Sequence, residues 1–432
     1  MASSFECDVD GIPEPPVWNQ YTKHLKMPTR LLLISYPCCG IVGSQDVTKA
    51  LLHQACNVFD LEESYREALE QIFKNCPELP TLHLGTDAGN VLSAALQNLT
   101  CPDGIVSGPP CPPWAGHGKK KSILGDRSLV YTAILKWTCH FIKAGCLQFA
   151  VVENVMGILK QWNGFQSFMD CVLQSLRKEC PEFAWVVDTL HAEEYKLPQE
   201  RNRVFLRGMR RTTASLPAVL APFGKAKLAD FLNLQLPYTR RDTIPEGKRY
   251  NLFQIELDLQ VRLKNNPQDF PAGCVACAAI DRAEGKAFPQ RITIDKTCTL
   301  TTANRFLFVF SVHDMHLADK DRKVFRWLHP AERFGLQGLT PKLAKLIPFE
   351  KLVKASGNMY PVPFMTAVLS PMLAAIADSQ PGTCLGTTVP PSMAASRFTV
   401  QIGKKRKTCG RVENNTEISK PKKKKPRDQD DE

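Results

Sequence analysis

No apolar run in these 432 residues approaches the roughly 20 needed to cross a bilayer. Nor does the start, Met1-Ala-Ser-Ser-Phe-Glu-Cys7, have the basic-then-apolar order of a secretory signal. The sixteen cysteines are irregularly spaced, so they are expected as reduced thiols rather than a disulfide framework. Metal-ligand patterns are also scarce. Cys274-Val-Ala-Cys277 is the only CxxC, and His313 with His316 makes a poor second pair, so no metal site is expected. There is no internal repeat. Acidic residues are in deficit, 43 against 55 basic, which leaves a net charge of +12. That balance points to a polyanionic partner, although mildly basic soluble proteins are common.

What is present is a globular chain, 44% hydrophobic and 23% charged, long enough for one large and one small domain. Residues 1–28 are Pro-rich and polar and read as an extended leader. Strand-like runs follow at Leu31–Ser35, Val58–Asp60, Leu82–Leu84, Gly104–Val106, Phe149–Glu153, Trp185–Leu190 and Val204–Leu206. Helical spacing lies between them, from about Asp46, at Glu62–Phe73 and at Leu129–Ile142. The alternation predicts an α/β fold with a parallel sheet, and sites at the carboxyl ends of its strands. A first segment of the large domain therefore spans 29–214. The alternation stops at about 215, and 215–300 reads as a smaller lobe. Helical pattern returns at His329–Leu346 and Pro363–Ile376, which makes 301–383 a return to the large domain. Residues 384–432 are polar and basic and are expected to be disordered.

Four motifs carry chemistry. Asp103-Gly-Ile-Val-Ser-Gly-Pro-Pro-Cys111 ends a strand in a turn that exposes a cysteine, a setting in which nearby positive charge favours a thiolate. Phe149-Ala-Val-Val-Glu153-Asn154-Val155 ends the next strand in a carboxylate. Pro198-Gln199-Glu200-Arg201-Asn202-Arg203 places two arginines at alternating positions, which on a strand share a face. Gly116-His-Gly118-Lys119-Lys120-Lys121 is a mobile-looking basic loop suited to phosphates. Each alone has an ordinary reading: a structural cysteine, a strand-end acid, a solvated basic strand, a solvated loop.

Together and in this order they resemble the C5-cytosine DNA methyltransferases. The resemblance extends to Arg326–Gly338, similar to the family's penultimate motif, to the Thr-rich stretch Thr299–Ala303, and to Gly357–Pro363, similar to its last motif. It implies a Rossmann-like S-adenosylmethionine-dependent methyltransferase domain with a smaller target-recognition lobe. It also implies a catalytic set of Cys111 as nucleophile, Glu153 at the base N3, and Arg201 and Arg203 at the base, the phosphates and the loop. Gln199 and Lys119 to Lys121 would meet nucleic acid. The cofactor would lie near Tyr36, Cys38, Gly40, Asp60, Glu62, Asp87, Pro109 and Asn358. Here the chain departs from the family, because Cys38 stands where the family's loop has its first glycine. The implied partner is double-stranded DNA. An RNA (tRNA) methyltransferase and a catalytically silent DNA-binding relative remain alternatives. The clusters Lys404–Lys407 and Lys422–Arg427 read as a nuclear import signal, which implies a nuclear location and an import receptor.

Overall fold

The structure is a computed structural model that describes residues 9–16, 18–25, 32–38, 53–59, 83–85, 101–111, 114, 126–161, 166–211, 215–280, 292–301 and 307–377. Gly40, Asp60, Glu62, Asp87, Lys119 to Lys121 and the basic tail lie outside the described residues, as do the helices expected from Asp46 and at Glu62–Phe73.

The main sheet is built from β1 (Leu32–Pro37), β2 (His53–Phe59), β3 (His83–Gly85), β4 (Gly104–Ser107), β5 (Phe149–Val155), β6 (Phe183–His191) and β7 (Asn202–Arg210). Their order is β3-β2-β1-β4-β5-β7-β6. All neighbours are parallel except β7, which runs antiparallel to both β5 and β6. The near-continuous apolar runs follow from burial on both faces. Alternate residues of β4, β5 and β7 enter two cores: Val106, Phe149, Val151 and Phe205 one, and Ile105, Ala150, Val152, Val204 and Leu206 the other.

Helices α1 (Asp126–Lys143) and α2 (Phe168–Glu179) cover the second face. α2 starts at a capping box, in which Asp170 N donates to Ser167 Oγ at 3.1 Å and Ser167 N donates back to Asp170 Oδ2. The first face is covered by α6 (Val362–Ala377), which is apolar all round and buried accordingly. The stretch Lys351–Ala377 is in fact long and apolar enough to cross a membrane, against the expectation from the sequence. Its most apolar window is 94% buried inside the fold, as a core helix is.

The N-terminal segment is not a free leader where it is described. Val9, Ile12 and Trp18 join the first core, and Trp18 Nε1 donates to Gly338 O at 3.0 Å. The second sheet is antiparallel, of order β11-β10-β8-β9, built from β8 (Val275–Ala279), β9 (Ile292–Ile294), β10 (Leu307–Ser311) and β11 (Phe325–Trp327). α3 (Glu246–Asn265) packs on one face of it through Leu252, Ile255 and Leu259. This sheet runs past the expected boundary at residue 300. The helix expected over His329–Leu346 is instead a short α4 (Glu332–Gly335) and a 3-10 stretch Pro341–Leu346, divided by Gly338 at φ +83°. α5 (Phe349–Asn358) was not legible in the sequence.

Candidate active site

β4 and β5 are parallel neighbours, with Ser107 opposite Val152. The turn Gly108–Cys111 and the residues Glu153–Asn154 therefore lie together at the carboxyl ends of adjacent strands. β7 enters from the opposite direction, and its register sets Phe205 against Glu153 and Arg203 against Val155. Glu153 and Arg203 are thus diagonal neighbours on one face, a separation that long side chains span. They meet as an ion pair, Arg203 Nε to Glu153 Oε1 at 2.7 Å, with both side chains about nine-tenths buried. The N–H does not point at that oxygen, which has no aligned hydrogen bond. Arg203 also donates to Asn202 O at 2.9 Å.

Cys111 sits in the field of this pair. Burial pushes its thiol up, Arg203 opposes this more than any other charge, Glu153 adds to the rise, and Arg201 opposes it more weakly. The resting thiol is therefore protonated at neutral pH, with cationic groups placed to favour ionisation.

The Cys111 turn is clamped on several sides by residues to which the sequence alone assigned no role. Asn154 Nδ2 donates to Pro109 O at 3.1 Å, which ties the turn to the end of β5. Trp114 N donates to Cys111 O at 2.9 Å. The Trp114 ring is buried, 5.6 Å from Tyr131 and 5.0 Å from Phe168 between centroids. A Cβ on Gly157 would lie 1.8 Å from Trp114 O, so the turn after β5 packs directly on the Trp114 backbone. A Cβ on Gly108 would lie 2.5 Å from the Tyr360 ring. Asn154 and Tyr360 stand inside the family-like motifs, and Trp114 is an aromatic residue just past the cysteine.

Arg201 differs from its expected role. It precedes β7 and is buried, and its guanidinium donates to backbone carbonyls of Met359 at 2.7 Å and of Leu300 and Gly357 at 3.4 Å. Through these carbonyls it ties three motifs together. Burial, followed by the charge of Arg203, pushes it down to about 9, which leaves it cationic at neutral pH. Gln199 is likewise corrected. It is wholly buried and donates to Leu336 O at 2.6 Å, so it offers no nucleic-acid contact. Its segment leaves the strand direction to bridge Thr297, and alternation therefore does not carry it to the surface.

Among the cofactor candidates, Tyr36 and Pro109 are buried and Asn358 is exposed at the end of α5. Cys38 is left-handed at φ +56°, the region that favours glycine. The Tyr360 hydroxyl donates to its carbonyl at 3.0 Å. The turn thus keeps a glycine-type backbone without the glycine. β1 stands between β2 and β4, at the point where the sheet order reverses and α/β folds bind nucleotides.

The C-5 cytosine-specific DNA methylase model matches residues 60–373. The chain belongs to that family. It is 28% identical over 151 residues to the type II methyltransferase M.DdeI of Desulfomicrobium norvegicum, a match that covers 34% of each chain. It is 27% identical over 162 residues to M.AquIA of Picosynechococcus, covering 36% of this chain and 64% of that one. Each match thus spans less than two thirds of the relative's length. Among solved structures, the S. pombe Dnmt2 methyltransferase aligns with a TM-score of 0.50 at 12% identity, over 80% of this chain and 98% of that one. That likeness concerns the fold, which is the expected Rossmann-like methyltransferase fold with a smaller lobe. The family's penultimate motif joins the two parts. Arg326 of β11 and Glu332 of α4 form a buried two-pronged pair at 2.6 and 2.9 Å, and Glu332 also accepts from the amides of Asn233 and His329.

Proposed function

We propose that this family member is a DNA (cytosine-5-)-methyltransferase, which moves a methyl group from S-adenosylmethionine to C5 of a cytosine turned out of the duplex. The observation that carries the reading is the meeting of Cys111, Glu153 and Arg203 at the carboxyl ends of β4 and β5. C5 of cytosine is a poor nucleophile. Addition of Cys111 Sγ to C6 converts the ring to an enamine, whose C5 then attacks an electrophilic methyl group. Burial opposes loss of the thiol proton, and Arg203 and Arg201 favour it. A base entering the site separates Glu153 from Arg203. The Glu153 carboxyl, once protonated, donates to N3, and the freed guanidinium offers its forked donors to O2. Loss of the C5 proton then expels the Cys111 thiolate and restores the ring.

The cofactor supplies the methyl group as a sulfonium. The left-handed turn at Cys38 and the switch point at β1 fit such a ligand. Tyr36, Cys38, Gly40 and Pro109 would flank it, Asp60 and Glu62 would take the ribose hydroxyls, and Asp87 would lie near the adenine. Lys119, Lys120 and Lys121 would meet DNA phosphates. The basic tail supports import into the nucleus through an import receptor.

Labelled S-adenosylmethionine offered with duplex DNA and with tRNA tests the substrate. DNA containing 5-fluorocytosine should trap a covalent adduct at Cys111 in the wild type, and Cys111→Ser should neither trap nor transfer while still binding DNA. Transfer to tRNA alone would replace the DNA reading with the RNA one. An adduct at another cysteine would remove Cys111 as nucleophile.

A further inference from the structure

The core beneath α1 and α2 holds two thiol pairs that the reaction does not use. Cys139 Sγ and Cys180 Sγ are 3.4 Å apart. Cys101 Sγ and Cys146 Sγ are 2.6 Å apart, close to the bonded length of about 2.05 Å. Cys101 lies just before β4 and Cys146 just before β5, at the ends of these strands remote from Cys111. The backbone, not the sulfurs, holds the starts of β4 and β5 side by side. Asp103 O accepts from the amides of Gln148 at 2.7 Å and Phe149 at 3.3 Å, and the Asp103 carboxylate accepts from Leu33 N at 2.9 Å. Closing a bond between the sulfurs therefore asks little movement of the chain.

We propose that Cys101 and Cys146 are a redox-convertible pair that closes to an intramolecular disulfide under a two-electron oxidant of the peroxide class. The Cys101 thiolate attacks one peroxide oxygen to give a sulfenic acid and one water. The Cys146 sulfur then displaces the sulfenic hydroxyl, forming the S–S bond and releasing a second water. Both electrons pass to the peroxide. Contact with Cys146 holds the Cys101 thiol below its ordinary range, which makes Cys101 the first attacker. Cys139, with its thiol pushed far up by Cys180 and by burial, is the unreactive counterpart. Both sulfurs are buried, and the neighbouring turn at Gly145 lies at the surface. The closed ring would enclose the whole segment that carries Cys111 and α1.

The test treats the full chain with dilute hydrogen peroxide, alkylates it, and maps peptides before and after reduction. A Cys101–Cys146 cross-linked peptide, two hydrogens lighter than its parts, is expected. A rise of several degrees in the thermal midpoint, reversed by dithiothreitol, should accompany it. Cys146→Ala should lose both effects and Cys139→Ala should keep both. Alkylated Cys101 and Cys146 in the peroxide-treated, folded wild type would overturn the proposal, and this readout needs no variant to fold. A cross-link from Cys101 to any other cysteine would overturn it equally.

Discussion

Gly157→Ala should cost this protein its chemistry before its fold. The added methyl would sit 1.8 Å from the Trp114 carbonyl oxygen and 2.9 Å from its carbonyl carbon. Both are backbone atoms, so no rotamer relieves the overlap. Restoring an ordinary carbon–oxygen contact of about 3.3 Å requires a displacement of roughly 1.5 Å. Trp114 is wedged between Tyr131 and Phe168 and linked to the Cys111 carbonyl, so its movement carries Cys111 with it. If the turn at Met156–Leu159 moves instead, it drags the end of β5 and with it Glu153. A misplacement of about 1 Å costs on the order of 100-fold in rate, or about 2.7 kcal/mol of transition-state stabilisation. Overpacking costs about 1–3 kcal/mol of stability, which a core of this size tolerates. Single-turnover methyl transfer should fall about 100-fold, with DNA affinity within roughly twofold of wild type. Gly247→Ala, where a Cβ meets nothing within 4 Å, is the control. A Gly157→Ala variant with wild-type rate and melting curve would show that the turn after β5 does not brace Cys111.

At position 38 the usual ranking of glycine and alanine should invert. Cys38→Gly relieves the left-handed strain and Cys38→Ala retains it, so the glycine variant should be more stable in urea by about 1 kcal/mol; the opposite order would refute the left-handed turn. Because burial pushes the Cys111 thiol up, its alkylation by iodoacetamide should accelerate about tenfold per pH unit from pH 7 to 9. Arg203→Gln should slow it at every pH, whereas a flat profile would mean a thiolate already formed at neutral pH. Deleting residues 404–432 should move the protein from nucleus to cytoplasm and lower the salt sensitivity of DNA binding; unchanged nuclear retention would refute the import role.

Most strands of the main sheet were legible because burial on both faces leaves little room for polar residues, as in Phe149-Ala-Val-Val and Val204-Phe-Leu. β2 was seen only at its end, because Gln54 and Asn57 interrupt its apolar pattern. The stretch His329–Leu346 has helical spacing, but Pro330, Pro341 and the left-handed Gly338 cut it into single turns. The second sheet escaped because its strands are short and its central pair joins distant segments, with Ala279 opposite Leu307 and Val275 opposite Ser311. The N-terminal segment looked like a leader because isolated apolar residues, Val9, Ile12 and Trp18, carry its packing and make no period.

The site divides along the same line. The meeting of Cys111 and Glu153 was legible because one follows β4 and the other lies near the end of β5, and parallel strands gather their carboxyl ends. Arg201 was expected to share a face with Arg203 by strand alternation, which does not apply before β7 begins at Asn202, and the role of Gln199 came from the resemblance alone. Their side chains turn inward to satisfy carbonyls of Met359 and Leu336. The departure at Cys38 has a similar answer in a distant residue. A glycine in such a loop serves two ends, a left-handed backbone and room beside it. Here the Tyr360 hydroxyl holds the Cys38 carbonyl, and the same ring lies against Gly108, where a Cβ would come within 2.5 Å. One aromatic side chain from the last motif thereby fixes the chain where it leaves β1 and where it leaves β4. Those exits flank the point at which the sheet order reverses. The backbone demand at Cys38 is met by tertiary contact rather than by the local residue, so a left-handed backbone stands where the local sequence departs from the family.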